Sequence, residues 1–172
     1  MSVYVAFYKG KPRPGANLRE RVKYLFDGAI RLLTRSPYSH CELAIPDTTR
    51  LDVYFCVSAS VRDGGVRGKF MVLPGDRWDL LPAIDPEYLR DPAHYDRALR
   101  TLPADTVSDW LRRYQGQRYD WLGVLRFVCP WLRQSSGRWF CSEFVATVLG
   151  MANPAQQSPQ SVYQYLYGVS TK

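Results

Sequence analysis

The stretch from Tyr38 to Leu81 constrains the fold more than any other part of the chain. Tyr38 to Ile45 alternates as a strand and stops at Pro46, and residues 51 to 61 are rich in β-branched and aromatic types. Gly64-Gly65 marks a turn, and Lys69 to Leu73 and Trp78 to Leu81 read as two more strands. Together these segments predict an antiparallel meander. Ser2 to Tyr8 reads as a first strand, and between it and the meander Leu18, Val22, Leu25, Phe26, Ala29, Ile30 and Leu33 recur at helical spacing. Asn17, three residues before Glu20, gives that helix a capping-box-like start, so Asn17 to about Thr34 should be amphipathic, with its Arg and Lys residues in water.

From Asp85 onward the pattern turns helical. Helices are expected over Pro92 to Leu102, Asp105 to Gln115 closed by Gly116, Tyr119 to Phe127, Trp139 to Met151, and Gln160 to Tyr167 behind a Ser158 cap and Pro159. Helix, meander, helices is the order of an α+β domain with a sheet packed by helices. With 172 residues, 46% of them hydrophobic and 23% charged, the chain can bury one core, so residues 1–172 are read as a single domain.

Neither end carries a charged-then-apolar signal segment, and no apolar stretch approaches the roughly 20 residues of a membrane span. The four cysteines, at 41, 56, 129 and 141, form no C-x-x-C pair, which favours reduced thiols in a cytoplasm over a disulfide scaffold or a structural metal site. No cofactor is called for. A net charge of +7 and a pI near 9.4 raise the question of a polyanionic partner. The densest basic group, Lys9, Lys11, Arg13, Arg19, Arg21 and Lys23, has few aromatics interleaved to stack on bases, so the expectation is weak polyanion attraction rather than specific recognition.

A thiolate is the nucleophilic form of cysteine, and a helix N-terminus favours it through unpaired N–H groups and the helix dipole. Cys141 falls where the helical pattern begins, and its own N–H or that of Ser142 would help bind an oxyanion. The plainer reading of a cysteine between aromatics is packing. Of the two histidines, His94 lies among polar residues and reads as a solvated surface imidazole. His40 sits inside a strand, and alternation places it with Glu42 on one face and Cys41 and Leu43 on the other. A His and a carboxylate side by side suggest a cleft wall, or a structural pair. Glu42 is the first choice for orienting the imidazole; Ser58 or Ser60 on the next strand are alternatives, with Tyr119 and Asp120 behind them, Asp120 also reading as a helix N-cap. Cys41 and Cys56 read as buried and structural.

Three features resemble the circularly permuted branch of the NlpC/P60 superfamily, the papain-like group of the YiiX-type hydrolases, itself similar to the lecithin:retinol acyltransferases. They are Ser39-His40-Cys41-Glu42 on a strand, Tyr119-Asp120 upstream of the nucleophile, and Phe140-Cys141-Ser142-Glu143 at a helix start, in a frame covering about residues 2 to 151. The resemblance implies a permuted papain-like fold and a cysteine peptidase or amidase acting on a peptide, isopeptide or acyl substrate through an acyl-enzyme. In that family the third polar residue commonly comes from the following strand, where this chain offers Cys56, Ser58 and Ser60. Similar compact members occur in bacteria and their phages, so the host cytoplasm or a virion is the implied location. Two other readings stand beside it. One is a thioesterase or acyltransferase, for which the Trp121 to Trp131 stretch would border an apolar groove instead of packing in the core; the other is an idle interaction module that binds a virion component or nucleic acid.

Overall fold

The structure is a computed structural model that describes residues 2–11, 18–90, 100–129, 131–132 and 135–170. Strand β1 (Tyr4–Tyr8) leads through helix α1 (Leu18–Thr34) to three strands joined by tight turns, β2 (His40–Pro46), β3 (Val53–Ser60) and β4 (Gly65–Val72). In the first turn the Asp47 carboxylate accepts hydrogen bonds from the N–H groups of Thr49 and Arg50, and in the second Gly64 takes a left-handed φ of +79°. Short turns of this kind leave only antiparallel pairing open to consecutive strands. β2, β3 and β4 pair accordingly, and β4 begins four residues before the expected Lys69.

The meander ends there. Strand β5 (Trp78–Pro82) does not join β4 but pairs antiparallel with β1 along all five of its residues, from Tyr8↔Trp78 to Tyr4↔Pro82. The expectation of a simple meander is corrected for a physical reason: β1 has an open edge, and an unpaired edge beside the buried Val5 and Phe7 would leave backbone groups unsatisfied. To reach it the chain crosses one face of the sheet through Leu73, which packs with Ala6, Tyr8, Ala44, Cys56 and Trp78.

After helix α2 (Pro86–Arg90) the expected helix from Pro92 to Leu102 lies mostly outside the described residues, as does His94; its last residues are extended, with Thr101 bridged to Ile84. Helix α3 (Ala104–Tyr114) ends before Gly116 at φ +82°, as its sequence predicts. The next helix is shorter than expected because Arg118–Tyr119 form strand β6, so α4 spans Trp121–Leu125 behind an Asp120 cap that accepts from the Gly123 N–H at 3.0 Å. Arg138–Trp139 form strand β7, parallel to β6, which delays α5 to Cys141–Val148. Among the described residues the seven strands lie in the order β5-β1-β2-β3-β4-β6-β7.

Helix α5 is apolar nearly all round, and Phe144, Val145 and Ala146 are fully buried against the β2–β3 face that carries Cys41, Leu43, Val57 and Ala59. Each large side chain so buried contributes about 1.5–3 kcal/mol. Gly150, at φ +64°, closes the helix, with the Met151 N–H donating to the Ala146 carbonyl. Helix α6 (Pro159–Ser170) starts on the expected Ser158 cap, whose hydroxyl accepts from the Ser161 N–H, and Tyr163 meets the rings of Phe7 and Tyr38. Among the described residues no helix is long and apolar enough to cross a membrane.

Candidate active site

Residues 40 and 42 share a face of β2, and the sheet builds two rows through them. One row runs Trp78, Tyr8, His40; the other runs Ala6, Glu42 and, continuing the β2–β3 register, Ser58 and Arg67. His40 and Glu42 do meet: Nε2 lies 2.9 Å from Oε1. Arg67 comes from two strands away, about 10 Å across the sheet. It spans the gap because Ser58 between them is small and turns its hydroxyl onto the Cys41 carbonyl at 2.8 Å. The Arg67 guanidinium then grips Glu42 with Nη1 and Nη2 at 2.8 Å each, and holds Asp63 with Nε at 2.8 Å.

Burial opposes ionisation of Glu42, but the Arg67 and His40 hydrogen bonds outweigh it and bring its pKa down to about 2. The carboxylate is therefore charged at neutral pH. Burial works against a charged His40 too; the Cys141 thiolate and the Glu42 carboxylate outweigh it and raise the imidazole to about 9. The Cys141 thiol is held well below its ordinary range, first by a hydrogen bond from the Cys41 thiol and then, against burial, by the His40 imidazolium. Both shifts favour a thiolate-imidazolium pair backed by a carboxylate.

Cys141 is the first residue of α5, so the N–H groups of Cys141 and Ser142 have no acceptor in the preceding turn. Its position is fixed from both sides. Upstream, the Asp120 N–H donates to the Trp139 carbonyl at 2.9 Å and the Trp139 indole donates to Gln117 at 2.6 Å; downstream, α5 is buried against β2. The Phe140 N–H donates to the Glu143 carboxylate at 3.4 Å, closing the first turn.

The other expected residues divide. Tyr119 joins the site: it is buried close to Cys141, and burial followed by the nearby thiolate pushes its pKa well up. Ser142 is buried in the first turn of α5, and its hydroxyl has no partner among the described residues. Asp120 is the α4 cap, and Ser58 is a spacer beneath Arg67, so neither orients the imidazole. Cys56 is buried, and burial pushes its thiol up. Two participants escaped the sequence. Arg67 fell between the expected Gly64-Gly65 turn and the expected strand from Lys69, and the register that brings it to Glu42 has no signature in one strand alone. Cys41, read as structural, is buried but helps to lower the pKa of the Cys141 thiol; adjacency to His40 was its only signal.

A cleft of about 400 Å³ opens beside the pair on the Tyr8 and Trp78 side of the sheet. Ile30, Val61, Met71 and Trp78 give it an apolar wall, Asp27 and Arg62 close one side with an ion pair at 2.7 Å, and His40, Glu42 and Tyr119 form the end nearest the thiol. Cys141 itself, 4% exposed, does not line the cleft and sits behind His40 and Tyr119. The expectation that the basic residues of α1 all face water is corrected at Arg31, which donates to the Gly10 carbonyl at 2.7 Å and to Ser39 at 3.3 Å beside the cleft. Among the described residues no cluster of His, Cys, Asp or Glu is arranged to hold a metal ion. Comparison with protein-family models, with curated proteins and with solved structures returned no match.

Proposed function

We propose that the chain is a cysteine hydrolase of the permuted papain-like NlpC/P60 type, acting on an amide or ester through an acyl-enzyme. The observation that carries this reading is the Cys141, His40, Glu42, Arg67 series at the end of a cleft, in which the thiol is acidified and the imidazole made basic. The Cys141 thiolate attacks the carbonyl carbon, and the oxyanion is received by the N–H groups of Cys141 and Ser142 and by the Tyr119 hydroxyl. His40 gives its proton to the leaving nitrogen or oxygen as the C–N or C–O bond breaks, leaving a thioester. Water then adds to the thioester as His40 takes its proton, and collapse releases the carboxylic acid and restores the thiolate-imidazolium pair.

His40 and Tyr119 stand between the thiol and the cleft, so the scissile carbonyl enters past these two rings. The apolar wall at Tyr8, Met71 and Trp78 favours an aromatic or acyl group on the substrate and supports a thioesterase variant of the same chemistry. The test is alkylation of the intact protein by iodoacetamide, with the labelled cysteine located by peptide mass spectrometry, alongside turnover of aryl esters and thioesters. Cys141 is expected to label fastest at neutral pH, and His40→Ala to slow both labelling and turnover by about a hundredfold or more. Unimpaired turnover in Cys141→Ala would overturn the reading.

A further inference from the structure

The stretch from Trp121 to Trp131 turns its large apolar side chains outward. Trp121, Leu122, Leu125 and Val128 each keep 43–47% of their surface exposed and Trp131 keeps 78%, while Gly123 and Val124 face the core. Residues 121, 125 and 128 recur at helical spacing along α4 and the turn after it, so they form one ridge rather than scattered exposures. Neither core packing nor the wall of the cleft accounts for it, because none of these residues lines the cleft.

Along the sequence, the charges on either side of the ridge are nearly all positive. From Gln115 to Ser142 the sequence has Arg118, Arg126, Arg133 and Arg138 and a single acid, Asp120, which is fully buried as the α4 cap. Arg126, which follows Leu125 in the chain, carries a second feature: its Nε and Nη1 are buried with no hydrogen-bond partner among the described residues. Its side chain borders a pocket of about 370 Å³ between the α4 turn, at Gly123 and Phe127, and the 3-10 turn Pro154–Gln156. A guanidinium with unused donors at a pocket edge suits an anionic group such as a phosphate diester.

We propose that this face docks on an anionic phospholipid bilayer, with Trp121, Leu125, Val128 and Trp131 entering the interface and Arg126 pairing with a lipid phosphate. Tryptophans at the two ends of an apolar ridge, flanked by arginines and free of exposed acid, have the composition of a segment that lies in a membrane surface without crossing it. The ridge also begins where the cleft ends: the Trp121 ring meets Tyr119 edge-on at 5.3 Å, and Tyr119 is one wall of the cleft. Docking would therefore set the cleft beside the bilayer. The inference does not depend on catalysis and applies equally to a chain without the thiol.

The experiment is co-sedimentation of the full chain with vesicles of phosphatidylglycerol and phosphatidylcholine in equal parts, against vesicles of phosphatidylcholine alone. The chain is expected to pellet with the anionic vesicles only, and Cys141→Ala to do the same. Leu125→Glu with Trp131→Ser should weaken binding about tenfold or more, and Arg126→Gln should weaken it by a smaller factor, with circular dichroism unchanged in both. Both variants should still turn over a soluble ester. The absence of pelleting with anionic vesicles, full binding by the double variant, or release by excess inorganic phosphate at constant ionic strength would each overturn the proposal. Full binding by the double variant would assign the attraction to basic charge alone, and release by phosphate would assign Arg126 to a free anion.

Discussion

Glu42 is buried and takes three charged donors, two from Arg67 and one from His40. Arg67→Met removes two of them and leaves a carboxylate that desolvation penalises, so a loss of about 3 kcal/mol is expected in urea unfolding, against little change on replacing the exposed Arg112. Glu42→Gln acts on chemistry instead. With the carboxylate gone, His40 loses one of the groups that raise it, and the alkaline limb of kcat/KM, expected near pH 9 in the parent where the imidazolium gives up its proton, should move to lower pH. A limb that stays in place would show that Glu42 does not set the imidazole. At this scale the sequence was legible where chemistry follows from period: two-residue alternation put His40 and Glu42 on one face, and a helix start marked Cys141. Arg67 was not legible, because its partner is chosen by a register running through Ser58, and a register is a property of three strands.

Among the elements, α1, α3 and α6 were readable within a few residues, since long periodic segments with caps announce themselves. β6 and β7 were not, at two residues each; yet they hold Tyr119 and lead into Cys141. Their place rests on Gly65, where a Cβ would come within 1.9 Å of the Gln117 carbonyl, so only glycine lets β4 and β6 approach. Gly65→Ala should push β6 away, costing about 1–3 kcal/mol by the usual scale of overpacking. Tyr119 would be displaced from the thiol at the same time. Thermal unfolding and the rate of Cys141 alkylation should therefore fall together; a lower melting temperature with unchanged alkylation would separate β6 from the site.

Over the whole molecule the sheet has two unequal faces, a broad core under α5 and α6 and a small cluster beside the cleft. Phe7→Ala on the core face, fully buried against Tyr38 and Tyr163, should cost about 3–5 kcal/mol. Trp78→Ala on the other face removes a cleft wall and should raise KM for an aromatic or acyl ester more than it lowers the unfolding midpoint. Equal effects of the two changes on KM would argue against the division. The placement of β5 against β1 was the largest feature not legible from the chain, because local pattern gives a strand's existence and not which open edge receives it.

The acidity of the Cys141 thiol is a product of assembly. Cys141 owes its acidity to Cys41 and His40, about a hundred residues earlier in the chain, and meets them only when α5 is seated on β2. A chain still being synthesised, or one opened by heat, carries at that position a thiol of ordinary acidity, with a smaller thiolate fraction at neutral pH. The acidity of this thiol thus depends on the docking of α5 onto β2, and on the proposed function a misassembled copy lacks the activated group.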